Sequence, residues 1–189
     1  AVNRECRTVR ETAGLFDAST LGKIEVVGPD AAKFLDLMYT NGWQKLAPGR
    51  CKYGIMLRED GFIYDDGVVG RIAEDRFHVT TTTGGAPRVL HHMEDYLQTE
   101  FPDLRVWLTS TTDQWSVIAV QGPKAREIIE PFVEGIDISN EAMPHMSVRE
   151  GTVCGAPARL FRMSFTGELG FEVNVPADYG RAVWDALRA

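Results

Sequence analysis

The chain has 189 residues, 44% hydrophobic and 25% charged, a globular make-up with room for one domain of ordinary size or one and part of another. A formal net charge of −7 without any run of Lys or Arg argues against a nucleic-acid groove. No apolar run approaches the roughly 18–20 residues that span a bilayer, so no membrane partner is expected.

The opening Ala-Val-Asn-Arg-Glu-Cys has no apolar h-region, so no secretory leader is expected. Cys6, Cys51 and Cys154 are widely spaced and form no Cys-x-x-Cys, so neither a disulfide framework nor a zinc site follows. A reducing cytoplasm is the expected location. His78, His91, His92 and His145 lack metal-motif spacing, and His91-His92 read as surface or helix-packing residues.

In chain order, residues 24–27 make a short apolar strand that runs into Gly28-Pro29, where proline's fixed φ suits the first position of a helix. Residues 52–71 read as a β-hairpin, with Tyr53, Ile55 and Leu57 alternating before an Asp60-Gly61 turn. A strand at 77–81, a helix at 86–99 and a strand at 104–109 follow. Residues 118–129 then repeat the first pattern: an apolar strand, Gly122-Pro123, and a helix. Strands near 148–153, 158–164 and 171–175 lead to a helix from Ala177 to the last residue. The whole reads as α+β, one domain over 1–189 built from two related antiparallel-sheet halves with flanking helices, repeated over 20–110 and 114–189. The first copy closes with a strand and the second stops in its helix, so one strand is expected to be missing and the chain to be a fragment.

Within the hairpin's return strand stand Asp65 and Asp66. Neighbouring strand residues point to opposite faces, so one of the two carboxylates is expected to face inward. Such burial costs several kcal/mol unless a partner compensates, and a cationic or hydrogen-bond-donating ligand is one such partner.

The hairpin with Tyr64-Asp65-Asp66, together with Ser164-Phe165-Thr166-Gly167-Glu168-Leu169-Gly170-Phe171-Glu172, resembles the folate-binding domain of the glycine-cleavage T-protein (aminomethyltransferase) family. Asp17-Ala-Ser-Thr-Leu-Gly-Lys-Ile-Glu-Val-Val-Gly-Pro-Asp-Ala and His78-Val-Thr-Thr-Thr-Thr-Gly-Gly are similar to one branch of it, the C-terminal regions of the α subunits of heterotetrameric sarcosine oxidases. The resemblance covers essentially the whole chain. It implies a cloverleaf of three subdomains around tetrahydrofolate, truncated here before the third. It also implies that Asp66 is catalytic near N10 of the folate, that Glu172 grips the pterin, and that Tyr53 and Phe165 contact the ligand. Aminomethyltransferases usually carry Tyr at the position of Phe165, and some carry Tyr at Gly70, so no hydroxyl contact is expected from either position. The regulatory iron–sulfur-maintenance relatives carry Lys-Gly-Cys-Tyr-x-Gly-Gln-Glu where this chain reads Gly49-Arg50-Cys51-Lys52-Tyr53-Gly54, without the Gln-Glu.

The chemistry of the residues agrees. A pterin presents an amine and an N–H side by side, a donor pair that a carboxylate such as Glu172 accepts in fork geometry. A fixed carboxylate at Asp66 suits one-carbon capture, where positive charge builds and a proton moves. Blander readings stand beside these: Glu172 as an exposed strand residue opposite a Lys or Arg, Asp65 and Asp66 as a strand end binding backbone N–H groups, Tyr53 as a core aromatic, and Thr80 to Thr83 as a helix cap. Met143 and Met146 read as gap-fillers. Arg159, Arg162 and Lys52 are candidate cations for the folate's glutamate tail, as is an arginine of a third subdomain.

The expected function is thus the tetrahydrofolate-binding part of a sarcosine oxidase α subunit, capturing the one-carbon unit of oxidised sarcosine as 5,10-methylene tetrahydrofolate beside the oxidase's other subunits. A free-standing aminomethyltransferase and a non-enzymatic folate-binding regulatory module are the alternatives. No Gly-x-Gly-x-x-Gly occurs, so FAD, FMN and NAD are expected only elsewhere in the parent, and these residues alone should oxidise nothing.

Overall fold

The computed structural model describes residues 1–189. They divide into two compact units: Thr20–Thr112, and Ala1–Ser19 together with Asp113–Ala189. The chain opens with helix α1 (Val2–Glu11) and strand β1 (Gly14–Asp17), which belong to the second of these.

The continuous unit follows with β2 (Gly22–Val27), α2 (Ala31–Met38), β3 (Cys51–Leu57), β4 (Ile63–Ala73), β5 (Arg76–Thr81), α3 (Ala86–Thr99) and β6 (Trp107–Ser110). Its sheet is antiparallel in the order β3-β4-β5-β2-β6. One face carries Ile24, Val26, Val69, Phe77 and Val79, which pack with Phe34 and Leu35 of α2 and Val89 and Met93 of α3. The opposite face carries no helix of its own.

The discontinuous unit adds β7 (Trp115–Gln121), α4 (Ala125–Ile129), β8 (Val133–Glu134), β9 (Ser147–Val153), β10 (Ala156–Arg162), β11 (Gly170–Pro176) and α5 (Gly180–Arg188), the last preceded by one 3₁₀ turn, Ala177–Tyr179. The sheet order is β1-β7-β11-β10-β9-β8, again antiparallel. Ile118, Val120, Leu160, Phe171, Val173 and Val175 form its core with Ala125, Ile129, Val183 and Leu187 of α4 and α5.

The two Gly-Pro turns share one geometry. Gly28 has φ +140° and Gly122 φ +141°, a region L side chains rarely adopt. A Cβ at Gly28 would stand 2.1 Å from the Arg105 carbonyl oxygen, and one at Gly122 would stand 2.4 Å from that of Thr12. The carbonyls that crowd these glycines lie just before β6 and just before β1. β6 pairs with the edge of β2, and β1 pairs with the edge of β7, Gly14 opposite Gln121 through Asp17 opposite Ile118. The edge that the repeat pattern leaves unfilled after α5 is therefore held by β1, from more than a hundred residues upstream. This corrects the expectation of a missing strand in that sheet.

Other differences are local. α1 and β1 were not expected, α1 because it buries no residue and so carries no core-facing stripe. The strand expected at 104–109 runs over Trp107–Ser110, displaced by the close approach of Arg105 and Val106 to Gly28. In β3 the alternating Tyr53, Ile55 and Leu57 do not face the helix-side core; Gly54 and Met56 do, and Tyr53 is 49% exposed. No helix is long and apolar enough to cross a membrane.

Candidate functional site

β3 and β4 pair with Met56 opposite Asp65 and Ile55 opposite Asp66, so the adjacent aspartates leave the sheet on opposite faces. Asp65 is the inward one, 5% exposed on the helix side. Its carboxylate accepts the Thr82 backbone N–H at 3.0 Å and the Thr82 hydroxyl at 2.6 Å, and Thr82 Oγ1 in turn accepts the Gly85 N–H at 3.1 Å, where α3 begins. Arg88 Nη2 stands 3.8 Å away. A Cβ on Gly85 would lie 2.5 Å from Asp65 Oδ1, so only glycine lets this carboxylate approach the helix start. Asp65 is thus satisfied by the protein itself.

Asp66 stands half-buried on the helix-free face. Tyr53, diagonally across the strand pair, donates its hydroxyl to Asp66 Oδ2 at 2.7 Å. That bond, followed by burial and the Asp66 and Asp65 charges, raises the Tyr53 phenol above its ordinary value. Burial, reinforced by both aspartates, raises Tyr39 further still.

Glu172 and Phe165 belong to the discontinuous unit. In β11, Phe171, Val173 and Val175 face the core, so Glu172 and Asn174 face away from α4 and α5. Glu172 is 7% exposed, and its cross-strand neighbours are Phe161 and Ala119. It is therefore not an exposed residue opposite a Lys or Arg. Phe165 is 78% exposed on the loop between β10 and β11 and touches Phe16 of β1, ring centroids 5.8 Å apart.

Sequence reasoning missed what holds that loop. Gln121, fully buried at the end of β7, accepts the Phe165 N–H at 3.1 Å and donates to the Met163 carbonyl at 3.5 Å. Arg10 of α1 donates to the Thr166 carbonyl at 2.6 Å and to Glu168 at 2.9 Å. An amide directly after the apolar run 117–120 was a legible signal; Arg10, on a solvated helix, gave none. The three candidate cations are engaged locally: Arg159 with Glu150 and over the Trp115 ring, Arg162 with the Met143 carbonyl, and Lys52 with the Gly42 carbonyl and over Trp43. Desolvation, with Arg126 nearby, lowers Arg162 from its ordinary value.

Residues 1–189 match the GCVT N-terminal domain. The chain belongs to that family. Sarcosine oxidase subunit alpha of Corynebacterium sp. (strain U-96) is 50% identical over 190 residues, matching 100% of this chain and 20% of the relative. The subunit of Rhizobium meliloti (strain 1021) is 50% identical over 189 residues. An aminomethyltransferase of Chloroherpeton thalassium is 34% identical over 183 residues, 97% of this chain and 49% of that one. Among solved structures, the glycine cleavage system aminomethyltransferase T from Bartonella henselae matches 99% of the chain with a TM-score of 0.85 at 28% identity. The heterotetrameric sarcosine oxidase from Corynebacterium sp. U-96, in complex with pyrrole 2-carboxylate, matches 93% with a TM-score of 0.69 at 15% identity, a likeness of fold. This GCVT domain therefore spans about a fifth of the oxidase subunits and about half of the transferases. It is an aminomethyltransferase-like module.

Proposed function

We propose that this chain is the tetrahydrofolate-binding part of a sarcosine oxidase α subunit, working beside that enzyme's other subunits and capturing the one-carbon unit of oxidised sarcosine as 5,10-methylene tetrahydrofolate. The observation that carries the reading is the 50% identity to oxidase α subunits along the whole chain. The residues fit the ligand. Glu172, held with little exposure on a helix-free sheet face, suits the adjacent amine and N–H of a pterin. Asp66, on the helix-free face of the other sheet, suits a nitrogen that gains positive charge. When bound, tetrahydrofolate supplies the two nitrogens that accept the carbon; FAD, FMN and NAD chemistry is assigned elsewhere in the parent. Tyr53 and Phe165 offer aromatic faces for the ligand.

Calorimetric titration of reduced folate tests this. Glu172→Gln replaces an acceptor by a donor facing the donor pair and should cost about 2–3 kcal/mol, roughly 30- to 150-fold in Kd. Asp66→Ala should leave Kd nearly unchanged and slow product formation. Wild-type behaviour of both variants removes the assignment. The TM-score of 0.85 with an aminomethyltransferase favours a second reading, a module taking its carbon from an aminomethylated carrier, and methylene transfer from such a carrier would establish it.

A further inference from the structure

The carboxylate of Asp66 is asymmetric. The one hydrogen bond it accepts within the chain is that of Tyr53, to Oδ2 at 2.7 Å; Oδ1 accepts none. The strand geometry explains why a single neighbour controls it. Pairing between β4 and β5 begins only at Val69 opposite Val79. Just before that point Thr80 Oγ1 serves both backbone groups of Val68, accepting its N–H at 2.8 Å and donating to its carbonyl at 2.9 Å. Asp66 therefore lies on a stretch of β4 paired only with β3, and β3 contributes Tyr53. Beside this pair Gly54 of β3 stands opposite Gly67 of β4. A Cβ on Gly67 would be 2.0 Å from the Thr80 carbonyl oxygen, and one on Gly54 would be 2.7 Å from the Trp43 ring. Half-exposed as it is, Tyr53 is not fixed by burial, and its hydroxyl is committed as a donor to the carboxylate.

Resting on the folate reading above, we infer that Tyr53 is a positioning residue for Asp66: its hydroxyl occupies Oδ2 and turns the carboxylate so that Oδ1 alone is presented to the ligand's reacting nitrogen. This assigns Tyr53 a role different from direct capture of the ligand by its hydroxyl. Its ring remains available for packing.

The test is a double-mutant cycle in the intact enzyme with Tyr53→Phe, Asp66→Ala and the pair, measuring tetrahydrofolate affinity and folate-dependent product formation separately. A bond to a charged group is at stake. Tyr53→Phe should therefore keep Kd within about twofold while slowing product formation roughly 10- to 100-fold, and should add almost nothing once Asp66 is Ala. Tyr53→Phe that weakens binding at an unchanged rate, or whose effect multiplies with that of Asp66→Ala, overturns the inference and leaves the folate reading standing. Wild-type enzyme that binds no reduced folate overturns both.

Discussion

Replacing Asp65 by Ala separates the two neighbouring carboxylates by stability rather than by activity. Asp65 accepts two hydrogen bonds from Thr82, and bonds to an ionised group are each worth about 1.5–3 kcal/mol net. Thr82 is exposed, so water recovers part of the loss, and the sum falls at the lower end, about 3 kcal/mol. Arg88, 3.8 Å away with a side chain 55% exposed, adds little. In urea, with a slope of about 2 kcal/mol/M, the midpoint should fall by about 1.5 M. Asp65→Asn keeps one acceptor and should cost about half as much. Asp66→Ala loses a single bond to a half-exposed tyrosine and should cost under about 1 kcal/mol. A wild-type midpoint for Asp65→Ala, or a larger loss for Asp66→Ala, would refute the assignment of the inward carboxylate to the start of α3.

Gly122→Ala places a Cβ against the backbone before β1 at φ +141° and should destabilise by about 3 kcal/mol or more, read as a lower urea midpoint. Deleting residues 1–19 strips β1 from β7 and leaves an open edge, so light scattering should show association that the full chain lacks. His92 packs between Tyr64 and Tyr96, and desolvation, opposed by Asp95 and Glu59 and aided by His91, lowers its value from 6.5. Below that unfolded value the unfolded chain binds a proton that the folded chain resists, so stability should fall as pH drops through this window. His92→Phe should flatten that part of a urea-midpoint profile. The Tyr53 phenol is raised, so its contribution persists below the ordinary tyrosine value and is lost as pH rises through the folded one. Asp66→Asn should bring the tyrosine's ¹³Cζ titration back toward that ordinary value, and an unmoved titration would disprove the pairing.

Much of this was written locally. Pro and Gly punctuation marks the turns before α2 and α4, and the run Thr80 to Gly85 followed by a periodic stretch defines α3 to the residue. Asp65 beside Asp66 in a strand guarantees one inward carboxylate, because side chains alternate. Which of the two it is, and which face of β3 meets the core, depended on Trp43 lying under Gly54 and Thr82 lying against Asp65, contacts between distant segments. β1 shows the limit most plainly. Its four residues carry a faint strand pattern, yet they complete the sheet through β7, and nothing in residues 14–17 names a partner at 118–121. Sequence by itself determined the elements, the turns and the types of group available for chemistry, since these follow from φ/ψ preference and periodicity within a few residues. Tertiary structure alone decided which edge each strand fills and which carboxylate keeps a free oxygen, since pairing and burial join residues far apart in the chain.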